Sequence, residues 1–145
     1  MNETPRRWPV YGGVGFACVL AVIASAEAQQ TAKTTAQGVF TEAQATRGQK
    51  AYMESCARCH AEDLLGASGP ALVGDFFTNR FVGSNVQEIV KTIQRSMPQE
   101  APDSLGTPMY VDIVSFILKS NFSPVGSSEL PTDAQALQQI QVAEP

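Results

Sequence analysis

The chain has 145 residues, 43% of them hydrophobic and 17% charged, with a formal net charge of −4. Length and balance fit one ordinary globular domain. The acidic net charge gives no electrostatic case for binding nucleic acid.

At the start, Arg6 and Arg7 precede an apolar run from Val14 to Ala24, and Ala26 and Ala28 follow at the A-x-A spacing of a cleavage site. This pattern predicts a signal peptide over residues 1–28, cut after Ala28, and so a periplasmic protein. The run is only about half the roughly twenty residues needed to cross a hydrocarbon layer, so an uncleaved anchor is the weaker reading. No transmembrane span is therefore expected in the mature chain. A lipid attachment site at Cys18 fits poorly, because Gly15 and Phe16 are weak lead-in residues and the apolar run continues past the cysteine. Without its first 28 residues the chain keeps eight basic and twelve acidic residues and loses Trp8 and Cys18.

Residues 29–39 are polar and without apolar period, which reads as a flexible leader. The domain is expected over 40–122. Thr41 followed by Gln44 is a capping pattern, and a helix through about Glu54 would set Gly48, Tyr52 and Cys56 four apart along one face. Glycine inside a helix costs about 1 kcal/mol relative to alanine, so Gly48 suggests the close passage of another backbone.

Next comes Cys56-Ala-Arg-Cys59-His60, a C-x-x-C-H run of the kind that attaches a c-type haem. Two thiols three positions apart lie on the same side of one helical turn, so both can bond to the vinyl edges of one porphyrin. The histidine beside them can then reach the iron as the proximal ligand. Two other chemistries compete. Structural zinc wants four ligands, but the chain offers no second histidine and, beyond these two, only Cys18. A thioredoxin-like dithiol should follow a strand in a βαβ pattern, whereas helical periodicity flanks this one.

Between His60 and Asn85 no period is sustained, and Gly66, Gly69, Pro70, Gly74 and Gly83 interrupt any long element. About 25 residues of loop are unusual in a compact domain. A porphyrin would give Leu64, Leu65, Leu72, Phe76, Phe77 and Phe81 a surface to pack on. A second helix follows, capped by Ser84 or Asn85, with Val86, Ile89, Val90 and Ile93 on one stripe. It must end before Pro98. Thr107 as N-cap and Pro108 as first helical residue open a third, striped by Tyr110, Ile113, Val114 and Ile117, with Asn121 as its C-cap. Residues 123–145 read as a mostly polar tail in which Leu130, Leu137 and Ile140 are isolated.

With no second histidine, the strongest neutral donor for the other face of a haem iron is a methionine sulfur. Met53 lies one turn from Cys56 and on the wrong side of the ring. Met109 falls inside the opening turn of the last helix. Met97 sits between helices, with Pro98 fixing the backbone, and is the expected ligand.

The order Cys56-x-x-Cys59-His60, Gly69-Pro70-Ala71-Leu72, Met97-Pro98 and the closing run from Tyr110 to Leu118 resembles the class I, single-haem bacterial cytochromes c. The likeness covers about Phe40 to Phe122. It implies an all-α fold of three to five helices wrapped around one covalently attached haem c. It also implies that Gly48 and Tyr52 pack against Ile113 and Phe116, and that the Pro70 carbonyl accepts a hydrogen bond from His60 Nδ1. The run from Phe76 to Asn121 is similar to cytochromes that accompany periplasmic quinoprotein dehydrogenases, although Phe81 and Asp103 stand where those relatives often carry tryptophan and glycine. The expected cofactor-binding residues are therefore Cys56, Cys59, His60, Pro70, Leu72 and Met97, with His60 and Met97 on the iron.

Such a protein is expected to be an electron carrier and not an enzyme, its partners redox proteins: a dehydrogenase or respiratory donor, and an oxidase or other acceptor. A fixed haem subunit of a dehydrogenase or sulfur-oxidising complex would use the same chemistry. An open-site haem enzyme or sensor would need Met97 displaced and a distal acid-base group, for which only Glu100 and Asp103 are near.

Overall fold

The computed structural model describes Met1 and residues 32–144; nearly all of the stretch expected to be a signal peptide, and the first residues of the expected leader, lie outside the described residues. In chain order the elements are β1 (Lys33–Thr34), α1 (Glu42–Ser55), α2 (Ala57–His60), α3 (Asp75–Phe81), α4 (Val86–Ser96), α5 (Thr107–Ser120), α6 (Ala134–Gln138) and β2 (Ile140–Gln141). The fold is all-α apart from the two short strands. The long helices α1, α4 and α5 are the three that hydrophobic period and capping residues announce.

Their ends follow local chemistry. Thr41 Oγ1 accepts the Gln44 N–H at 3.1 Å and opens α1, and Asn85 Oδ1 accepts the Glu88 N–H at 3.1 Å and opens α4. The start of α5 differs by one residue from the expectation. Gly106 holds the cap with φ 77, a conformation that would strain a threonine, so Thr107 is already helical.

Helix α5 is the centre of the core. Tyr110, Val111, Ile113, Val114, Phe116, Ile117 and Leu118 are all buried, on more faces than an amphipathic surface helix would cover. Helix α1 crosses it at Gly48, and the Tyr52 and Phe116 rings meet at a centroid distance of 5.3 Å. Helix α4 packs along it through Val86, Ile89 and Val90.

Three stretches depart from the sequence reading. Within the region read as loop, Gly74 (φ 66) ends the irregular part and Asp75 begins α3, a helix of 7 residues and so too short to show a period. Phe77 and Phe81, four apart, are packed ring against ring at 5.4 Å. In the described part of the leader and in the tail, the chain is packed. β1 pairs with β2 in parallel, Lys33 opposite Ile140 and Thr34 opposite Gln141, and α6 rests on α4. Val39, Phe40, Leu130, Leu137, Ile140 and Val142 are buried together with the helical core. The Gln44 side chain satisfies both backbone groups of Leu130, donating to its carbonyl at 3.2 Å and accepting from its N–H at 2.7 Å. Arg47 of α1 is bidentate to Asp112 of α5 and also pairs with Glu129 of the tail, holding the Glu129 carboxyl below the usual carboxylate range.

Candidate functional site

Helices α2, α3, α4 and α5 enclose a cavity of about 630 Å³, within the range of small-molecule and cofactor sites. Its chemistry begins at α2. The N–H groups of Cys59 and His60 bond back to the Cys56 carbonyl at 3.1 and 3.0 Å, and this single turn places both thiols and the imidazole on the cavity wall. Burial pushes the Cys56 thiol up to about 11, with repulsion from Cys59 as a smaller cause. A dithiol of the thioredoxin kind depends on the opposite, a thiol lowered toward neutrality. Among the described residues no group of three or more His, Cys, Asp or Glu side chains is assembled for a metal ion, which leaves the zinc reading without its ligand set.

The imidazole is fixed from behind. His60 is buried, and its Nδ1 lies 2.7 Å from the Pro70 carbonyl oxygen. A carbonyl only accepts, so Nδ1 is the donor here, and the neutral tautomer with the proton at Nδ1 is the one that leaves the Nε2 lone pair free. Gly69 passes so close that a Cβ there would stand 2.8 Å from His60 Cε1, which requires glycine at that position. The loop that delivers these residues folds back onto the open end of α2. Gly66 N–H bonds the His60 carbonyl at 3.0 Å and Gly69 N–H bonds the Cys59 carbonyl at 2.8 Å, satisfying carbonyls the helix leaves unpaired. From the other side Asn121, the C-cap of α5, donates to the Leu72 carbonyl at 3.0 Å and accepts from the Gly74 N–H at 3.1 Å.

Met97 follows the last residue of α4 and lines the same cavity as His60, whereas Met53 and Met109 are exposed and off its wall. All six residues singled out from the sequence, Cys56, Cys59, His60, Pro70, Leu72 and Met97, line this one cavity. An imidazole nitrogen, a thioether sulfur and two thiols set in an apolar wall form a donor set that fits an iron porphyrin.

The family model described as "Cytochrome C oxidase, cbb3-type, subunit III" matches residues 43–117. Cytochrome c-551 of Bacillus subtilis (strain 168) is 33% identical over 92 residues, covering 62% of this chain and 79% of that one. The chain belongs to the cytochrome c family. No solved structure gives a significant match. As a cytochrome c the protein carries covalently bound haem c with its iron and works as an electron carrier exchanging with redox partners, not as an enzyme. Among the described residues no helix is long and apolar enough to cross a membrane.

The apolar residues expected around the porphyrin divide. Leu72, Phe76, Phe77 and Phe81 line the cavity of this cytochrome, but Leu64 does not: its backbone turns at φ 63 and its side chain joins the core. Leu65 is 67% exposed. The sequence reading missed Ile89 and Ile93 of α4 and Ile113 and Ile117 of α5, which are cavity wall. They were visible only as helix stripes, and a stripe is the same whether it meets another helix or a cofactor. Arg58 and Arg80 also line the cavity, and Arg58 is ion-paired with Glu100. That pairing engages Glu100, one of the two nearby carboxylates that could have served an open-site enzyme as its acid-base group.

Proposed function

We propose that this cytochrome is a periplasmic, single-haem electron carrier in which Cys56 and Cys59 form the two thioethers and His60 Nε2 and Met97 Sδ bind the iron from its two faces. The observation that carries the proposal is the convergence of these four side chains on one apolar cavity, with His60 already oriented by Pro70. The bound haem supplies an iron that takes up and releases one electron, and a Met/His pair raises its potential. The chain's residues do the rest. Pro70 and Gly69 hold the imidazole in one tautomer and one orientation, which strengthens Nε2 as a donor. Leu72, Phe77, Ile89, Ile93, Ile113 and Ile117 give the cavity an apolar wall, against which charge is less well solvated than in water.

Residues 1–28 are proposed as the export signal, since covalent haem attachment outside the inner membrane goes with the basic pair, apolar run and A-x-A site. The donor is proposed to be a dehydrogenase or respiratory protein and the acceptor an oxidase or another redox protein. Visible and near-infrared spectra of the purified haem protein, with its reduction potential, test the ligand pair. Reduction rates against candidate dehydrogenases test the donor. A high-spin spectrum in both oxidation states would sink the carrier reading in favour of an open site.

A further inference from the structure

Tyr110 is fully buried in the first turns of α5, yet its phenol is not idle: Oη donates to the Met97 carbonyl at 2.7 Å. The Met97 N–H is already bonded to the Ile93 carbonyl at 2.8 Å, as the last bond of α4. Both backbone polar groups of Met97 are therefore held, one by its own helix and one by α5. A second bond ties the same two helix ends, from Gln94 Nε2 to Thr107 Oγ1 at 3.2 Å. The side chain of Met97 is left as the free part, and with three rotatable bonds a methionine has many ways to miss a target unless its main chain is fixed. An apolar residue would serve at position 110 if packing were the whole requirement, since the rest of the stripe, Ile113, Val114 and Ile117, is aliphatic. The hydroxyl is the feature that packing does not explain.

We propose that Tyr110 is a positioning residue for Met97: its phenol pins the Met97 main chain so that Sδ is held toward the iron and is slow to leave it. The inference rests on the reading of Met97 as the distal ligand. Tyr110→Phe in the haem-loaded protein removes the hydroxyl and keeps the ring. The measurement is the rate at which cyanide, which must displace the thioether, binds the oxidised protein, alongside the sulfur-to-iron charge-transfer band and the reduction potential. The loss of one neutral hydrogen bond holding the bound geometry should speed cyanide binding roughly fivefold and lower the potential. Gln44→Ala is the comparison, because it removes a buried bonding pair with Leu130 and Gln44 does not line the cavity; it should lower stability and leave the cyanide rate alone. Para-aminophenylalanine at position 110 restores a donor and should restore slow binding, and it stands in if Tyr110→Phe fails to fold.

The possible failures are separable. If the wild type shows the charge-transfer band, Met97→Ala abolishes it and Tyr110→Phe binds cyanide at the wild-type rate, the positioning role is overturned and the ligand assignment stands. An equal acceleration in Gln44→Ala overturns it as well, because general loosening would then explain the effect. If the wild type lacks the band, or Met97→Ala keeps it, the ligand assignment itself is wrong and the role of Tyr110 falls with it.

Discussion

Gly48 and Asp112 meet backbone to backbone: a Cβ built on Gly48 would lie 1.8 Å from the Asp112 carbonyl oxygen and 3.0 Å from the Ile113 nitrogen. The crossing of α1 over α5 therefore depends on the absence of one side chain. It also couples the two walls of the site, because α1 runs directly into the Cys56 turn and α5 carries Ile113 and Ile117.

Alanine at position 48 gains about 1 kcal/mol of helix propensity over glycine. Against this stands a backbone clash that no rotamer change relieves, and overpacking of this kind costs about 1–3 kcal/mol or more. With the clash at the severe end of that range, Gly48→Ala should destabilise the haem protein by about 2 kcal/mol net, and Gly48→Val by more. Guanidinium unfolding followed by haem absorbance measures both. A Gly48→Ala variant as stable as the wild type would mean that the helices do not cross this closely.

The packed tail makes its own prediction. Leu137 is fully buried, so Leu137→Ala should cost about 2–5 kcal/mol as a buried large-to-small change. Gln44→Ala should cost about 1–3 kcal/mol, because it leaves the N–H and carbonyl of Leu130 buried without partners. Both losses should appear in a single cooperative transition. If neither variant moves the unfolding midpoint, residues 123–144 are a detachable appendage.

Haem attachment and folding are linked through the cavity. Without the porphyrin, Leu72, Phe77, Ile89, Ile93, Ile113 and Ile117 would face a cavity of about 630 Å³ with nothing to pack against, and a domain whose net stability is only about 5–15 kcal/mol cannot spare that much apolar contact. Cys56→Ala with Cys59→Ala should thus give a protein without covalent haem and without a cooperative unfolding transition by circular dichroism. In the wild type, acid-acetone extraction after denaturation should leave the haem on the chain. Extractable haem, or a native-like transition in the double variant, would count against the thioether assignment or the cofactor's structural role respectively.

What the sequence made legible was local. Thr41, Asn85 and Asn121 cap helices through bonds spanning four residues or fewer, and Cys56, Cys59 and His60 fall on one turn, so spacing alone places them. What it hid was non-local. Leu130, Leu137 and Ile140 look isolated in a polar stretch because residues that share their cluster, Val39 at the end of the leader and Phe40 at the start of the domain, lie some ninety residues earlier. The role of Tyr110 was hidden for a related reason: its ring fits an apolar stripe, and its hydroxyl partner is a backbone carbonyl, which leaves no trace in a sequence. The strap of Asn121 across Leu72 and Gly74 is of the same kind.

Met97 is where the carrier and the open-site reading part. If its sulfur binds the iron, the wild type is six-coordinate and low-spin in both oxidation states, and carbon monoxide and cyanide bind slowly because each must displace the thioether. Met97→Ala should then abolish the charge-transfer band, lower the reduction potential by on the order of 0.1 V and speed ligand binding. Met53 and Met109 give the comparison. They are 38% and 40% exposed, so Met53→Ala and Met109→Ala should lose no more than about 2 kcal/mol, the low end for truncating a buried methionine, and leave the spectrum unchanged. The Met97 backbone is anchored by Tyr110 and its neighbour Pro98 also lines the cavity; truncation beyond Cβ should therefore open the distal face without unravelling α4. Rapid carbon monoxide binding by the wild type, or loss of the charge-transfer band in Met109→Ala, would move the ligand elsewhere and make this an open-site or differently ligated haem.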